Sequence, residues 1–202
     1  MLSKITVLIL IFFALPALAD ENRYIPINKL PSEVRPFVAK GMKPLSLVIA
    51  DLNGDGLKDY ILVLERQKSK PTAPDIDDRQ RPLLILIRQP DRTIKEIKRN
   101  DKIVYCSTCG GMMGDPFLEV RAAKKTFTVS HYGGSAWRWS VEYTFNYSRR
   151  DHTWQLVKVE EGSFNAEDPE GGKAMVYTPN KDFGKIDIAD FDPEKWKGQG
   201  QK

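Results

Sequence analysis

Apolar and polar residues alternate along much of this chain, and the longest run is the clearest. Trp137, Trp139, Val141, Tyr143, Phe145 and Tyr147 take every second position, with Arg138, Ser140, Glu142, Thr144, Asn146 and Ser148 between them. A period of two sends the two sets to opposite faces of a β-strand. Large apolar side chains usually go inward, so the aromatic row reads as a core face. Tyr and Trp also tolerate half-exposed positions, so the same row at a sheet edge would make a ligand platform.

Shorter apolar or β-branched stretches predict further strands at 45–50, 60–64, 83–87, 94–97, 103–105, 117–120, 127–129, 154–159 and 174–177. Short polar turns such as Ala123-Lys124-Lys125 and Arg149-Arg150-Asp151 separate the later ones, which is the spacing of an antiparallel meander. Residues 30–38 predict a short helical turn, kept short by Pro36 and ended by Gly41. The stretch 67–81, rich in Lys, Pro and Asp, is the longest predicted loop. No motif recurs, which argues against a propeller or solenoid. The fold expected is mainly β: an antiparallel sheet or meander with a short N-terminal helix.

The first nineteen residues fall outside that pattern. Lys4, the apolar run at 5–15, Pro16 and Ala17-Leu18-Ala19 follow the order of a cleavable secretory signal, predicting a mature start near Asp20. The run is too short for a transmembrane helix, which needs about 20 apolar residues. Export to the periplasm or the medium, without a membrane span in the mature chain, is therefore expected. One domain at 20–195 and a disordered tail at 196–202 complete the predicted organisation. The net charge of +4 is small and its basic residues are dispersed among acidic ones, which argues against a nucleic-acid partner.

Between the predicted strands at 45–50 and 60–64 lies Asp51-Leu52-Asn53-Gly54-Asp55-Gly56-Leu57-Lys58-Asp59. Oxygen-bearing side chains stand at positions 1, 3, 5 and 9, and glycine at position 6 permits a sharp turn. Calcium takes six to eight hard oxygen ligands, and this spacing points Asp51, Asn53 and Asp55 at one centre, with the Leu57 carbonyl and Asp59 closing it. Three carboxylates within about 4–5 Å would repel by roughly 3–4 kcal/mol per pair at an effective dielectric near 20, so a cation is the natural compensation. Asp and Asn bonded to their own backbone would account for one or two such residues more readily than four. An EF-hand would need Glu at position 12, where Leu62 stands. Over residues 45–65 the segment instead resembles the FG-GAP or VCBS type of repeat, which implies a calcium loop joining two strands.

Cys106 and Cys109 are the only cysteines, and in an oxidising compartment a mutual disulfide is expected. A redox CxxC would sit at a helix N-terminus, which Gly110, Gly111, Gly114 and Pro116 disfavour. The segment His131-Tyr132-Gly133-Gly134-Ser135 reads as a turn next to the aromatic strand. His131 with Ser135, or with a reduced Cys109, would supply a base and a nucleophile, but proximity in sequence is not catalytic geometry. The acidic groups Asp75, Asp77, Asp78 and Asp187, Asp190, Asp192 read as solvated faces rather than a second ion site.

The function expected is an exported, calcium-stabilised β-domain that binds a protein or glycan ligand. His131, Tyr132, Trp137 and Trp139 form the candidate ligand surface. The alternatives are an exported hydrolase near His131 and Ser135, and a CxxC redox protein. No catalytic signature stands out.

Overall fold

Strand β2 (Asp59–Arg66) is buried at almost every position, and its apolar run Tyr60 to Leu64 is unbroken because both of its faces are covered. Ile61 and Val63 point into one core, while Tyr60, Leu62 and Leu64 point into another formed with Leu30 and Val34 of the N-terminal segment. Strand β3 (Leu83–Arg88) divides in the same way, with Leu83, Ile85 and Ile87 on one side and Leu84 and Leu86 on the other. Near-continuous apolar runs mark strands buried on both faces, whereas strands with one solvated face alternate. The structure, a computed structural model, describes residues 23–67 and 81–197. The predicted leader, most of the predicted 67–81 loop with Asp75, Asp77 and Asp78, and residues 198–202 lie outside the described residues.

Two antiparallel sheets share the larger core. The first runs β1 (Met42–Ala50), β2, β3, β4 (Ile94–Asn100) in spatial order. The second is a five-stranded meander: β5 (Phe117–Ala123), β6 (Thr126–Gly134), β7 (Trp137–Ser148), β8 (Thr153–Asn165) and β9 (Asp168–Tyr177). One helical turn, α1 (Pro179–Asp182), follows. No helix among the described residues is long and apolar enough to cross a membrane.

The predicted N-terminal helix is two 3-10 turns, Ile27–Lys29 and Arg35–Phe37. Pro26, Pro31 and Pro36 each lack an amide donor, so no α-helical ladder can propagate here. The segment is instead fastened by Glu33, whose carboxylate accepts hydrogen bonds from Arg88 (2.8 Å) and Tyr60 (2.8 Å). The Arg88 bond, helped by the Tyr60 hydroxyl, holds that carboxyl down at about 2.

Residues 103–105 are not a strand. Asn100 Oδ1 accepts the amides of Lys102 (2.8 Å) and Ile103 (2.7 Å), bending the backbone there while Ile103 and Val104 still reach the core. Nor does a disordered tail begin at 196. Trp196 is buried against Tyr177 and Phe183, and Ile186, Ile188 and Phe191 join the same core. This C-terminal segment bridges the two sheets. Asn100 Nδ2 donates to the carbonyls of Ile188 (2.6 Å) and Phe191 (2.7 Å), and the Leu156 amide donates to Ile186 (2.9 Å).

Candidate functional site

The loop between β1 and β2 folds as its spacing demands. Ala50 pairs with Asp59 at its base, and Gly54 and Gly56 take left-handed φ values of 82° and 89°. Only glycine adopts that region at little cost. The turn aims the side chains inward: Asp51 accepts the amides of Gly54 (2.6 Å) and Gly56 (3.1 Å), Asn53 that of Asp55 (3.0 Å), and Asp55 that of Leu57 (2.8 Å). Carboxylate oxygens of Asp51, Asp55 and Asp59 lie within 4.8 Å of one another. Each carboxylate oxygen has a second lone pair, so these amide bonds orient the group without exhausting it. The donor set is hard oxygen throughout, and the three carboxylates could hold a metal ion.

Asp59 has a second task. It is fully buried, and its two oxygens accept the amides of Leu52 (2.8 Å) and Arg88 (2.9 Å). Burial pushes its carboxyl up from the usual value; the two amides oppose this, and Asp55 and Asp51 add to it. Leu52, held at its amide by Asp59, is buried between the sheets and accepts the Trp154 indole N–H at its carbonyl (3.0 Å). The Asp51 carbonyl accepts the Lys125 amide (2.9 Å), whose own carbonyl accepts that of Tyr147 (2.8 Å). Lys124 Nζ stands 3.5 Å from the Asp51 carboxylate. The loop therefore joins the first sheet to the β5–β6 turn and to the far end of β7.

At the opposite end of β7 the glycine-rich segments meet. The Gly134 amide donates to the Gly110 carbonyl (2.8 Å). The turn expected at 131–135 is strand as far as Gly134, and of the two glycines that end β6 only Gly134 has a positive φ, 116°. Gly133 is required for a different reason: a β-carbon there would stand 2.6 Å from the Trp139 ring and 2.9 Å from Gly110 Cα. Cys106 and Cys109 are joined, with Cα atoms 5.2 Å apart, in a turn followed by a 3-10 turn at Gly111–Met113. No α-helix begins there to stabilise a thiolate.

The clamp on this loop is Arg81, a residue the sequence pattern did not single out. It is almost fully buried and donates to Glu65 (2.6 Å), to the Tyr105 carbonyl (2.9 Å) and to both oxygens of Asp115. Arg23 also pairs with Asp115 (2.6 Å). Both feet of the disulfide loop are thus fixed by one guanidinium.

His131 is not part of a ligand surface. It is buried, stacked on Tyr105 with ring centroids 4.4 Å apart, and flanked by Phe117 and Tyr143. These rings come from three other segments, which the polar-looking His-Tyr-Gly-Gly string could not reveal. Ser135 stays exposed in the turn, whereas the imidazole that the hydrolase alternative would use as its base is sealed. Burial, aided by Arg81 and opposed by Asp115, holds His131 down at about 3. The unfolded chain, with its imidazole near 6.5, then binds a proton that the folded protein excludes, so stability falls as pH drops from about 6.5 toward 3. At pH 4.5 this loss should approach about 2–3 kcal/mol. Urea melts at pH 7 and 4.5 check it: a His131→Phe variant should lose less between the two.

Asp187 and Asp192 are not solvated faces. Lys98 holds Asp187 (3.1 Å), and Lys102 holds Asp192 (2.8 Å), tying the C-terminal segment to β4 and the residues just after it. Among the described residues, three acidic side chains converge in the β1–β2 loop.

The aromatic row of β7 changes environment along its length. Val141, Tyr143 and Phe145 are buried, Trp139 is half-buried, and Trp137 is 63% exposed. Tyr132 is half-buried. A cleft of about 510 Å³ opens beside Trp139, with Tyr105 on one side and the C-terminal residues Glu194, Trp196 and Lys197 on another. Trp196 was detectable as an aromatic residue in an otherwise polar tail; nothing local marked Tyr105. In comparisons with known proteins, the chain matches no protein-family model, no curated protein and no solved structure.

Proposed function

We propose that this chain is an exported binding module, held in shape by one calcium ion, that takes its ligand at the uncovered end of β7. The observation that carries this reading is the aromatic row: Trp137 and Trp139 continue the core-facing series of Tyr143 and Phe145 but emerge into solvent beside a cleft. An exposed Trp next to a concave, aromatic-lined surface is the usual composition of a recognition site.

Calcium in the Asp51–Asp55–Asp59 cluster would act at a distance from that site. Tyr147 lies beside the loop, eight residues along β7 from Trp139, about 27 Å at an extended rise of 3.4 Å per residue. The ion would relieve the mutual repulsion of the carboxylates and brace the attachment of β1 and β2 to the second sheet. It would not touch a ligand in the cleft.

Calcium at tenfold above its dissociation constant should stabilise the protein by about 1.4 kcal/mol, raising Tm by about 3–5 °C. Asp51→Ala and Asp55→Ala should abolish that rise. In folded protein the indole resonance of Trp139 should be the same with calcium as with chelator. No calorimetric heat and no Tm shift in the wild type would sink the calcium reading; a large Trp139 shift would sink the claim of action at a distance.

A further inference from the structure

The cleft lies on the second sheet, whose central strands are longer than any in the first. Strands β7 and β8 run for 12 and 13 residues, whereas β1 to β4 have between 6 and 9. The register sets three successive rungs on the same face of β7, β8 and β9: Tyr143–Val159–Tyr177, Val141–Glu161–Met175 and Trp139–Ser163–Lys173. The first rung begins inside the core, with Tyr143 and Val159 both buried. The other two rungs line the cleft, with Val141 still buried beneath it.

Its chemistry is mixed in a particular way. Trp139 presents a flat apolar surface whose pose is already set: Gly133 leaves room for the ring, and Tyr105 lies 6.0 Å from it, centroid to centroid. Around it stand two carboxylates, Glu161 and Glu194, and two amines, Lys173 and Lys197, with Lys197 already bonded to Glu161 (2.9 Å). The lining charges cancel. A ligand with net charge would find no counter-charge in excess and would lose hydration without compensation. A neutral ligand carrying both an apolar face and hydroxyl groups suits the site, because hydroxyls donate to the carboxylates and accept from the amines and Ser163. The volume lies within the usual range for small-molecule sites.

Resting on the binding-module reading, we propose that this cleft binds a neutral saccharide, with the C–H face of a sugar ring on Trp139 and its hydroxyls bonded to Glu161, Ser163 and Lys173. Trp137 lies on the same face two residues away, about 7 Å along the strand, and offers a second platform for a longer chain.

The test uses the full mature protein in calcium and follows the indole N–H resonances of Trp137, Trp139, Trp154 and Trp196 by NMR. Probes are neutral tetrasaccharides of glucose and of N-acetylglucosamine, their disaccharides, and one zwitterionic tetrapeptide. The expected result is a saturable shift of Trp139 with a saccharide, while buried Trp154 stays put. Lys173→Ala, an exposed position, should weaken binding at least about threefold, and Trp137→Ala should weaken the tetrasaccharide more than the disaccharide. A shift with the peptide but not the saccharides overturns the ligand class and leaves the binding-module reading standing. No shift of Trp139 with any probe at 10-millimolar order overturns both. An equal loss for both sugar lengths in Trp137→Ala overturns the second platform.

Discussion

Replacing Arg81 by leucine should destabilise the protein by about 3–5 kcal/mol, the usual consequence of removing one partner from a buried ion pair. Arg81 and Glu65 are each 1% exposed, so Glu65 would be left in the interior without the guanidinium that balances it. The double variant Arg81→Leu with Glu65→Leu should recover the share of the loss that comes from Glu65, because a buried pair replaced by apolar residues is often neutral or better, while Asp115 and the Tyr105 carbonyl still lack the guanidinium. Urea melts of the two single variants and the double variant give the coupling energy directly. The two losses simply adding would contradict the role assigned to the pair. Since Arg81 also holds the Tyr105 carbonyl and Asp115, the single variant should disturb the disulfide loop and with it one wall of the cleft.

A second large effect separates the two roles of the acidic loop. Asp59→Ala should cost about 2–5 kcal/mol even with chelator present, because two backbone amides, Leu52 and Arg88, lose their acceptor in the interior. Asp55→Ala should cost less than about 1 kcal/mol under the same conditions, since Asp55 is exposed and bonds only within its own loop. Both should abolish stabilisation by calcium. Melts of the two variants with chelator and with calcium make the comparison. Equal losses in chelator would show that Asp59 does no more than Asp55. A calcium response surviving in Asp55→Ala would remove that carboxylate from the ion site.

The elements that local pattern identified are those whose side-chain direction follows from spacing alone. A period of two was enough to place Trp139, Tyr143 and Phe145 on one face. The spacing of Asp51, Asp55, Gly56 and Asp59 was enough to turn a loop inward, because short-range amide bonds and two left-handed glycines shape the turn itself. Strand β8 runs past its predicted end at 159 because Glu160 to Asn165 pair with β7, and partly with β9, while facing a cleft and solvent rather than a core, so no apolar signal marks them.

By itself, then, the sequence determined a mainly β chain, the inward face of its long aromatic strand, and a turn that gathers three carboxylates. Only the tertiary structure decided which part of that face is covered. Tyr143 and Trp139 obey the same alternation, yet one is sealed by Phe191, His131 and Tyr105 while the other stands at a cleft. The same holds for His131 and Arg81, buried by rings and carboxylates contributed from distant segments. Direction along a strand is a property of neighbouring residues, whereas cover and charge compensation depend on residues far away in the chain.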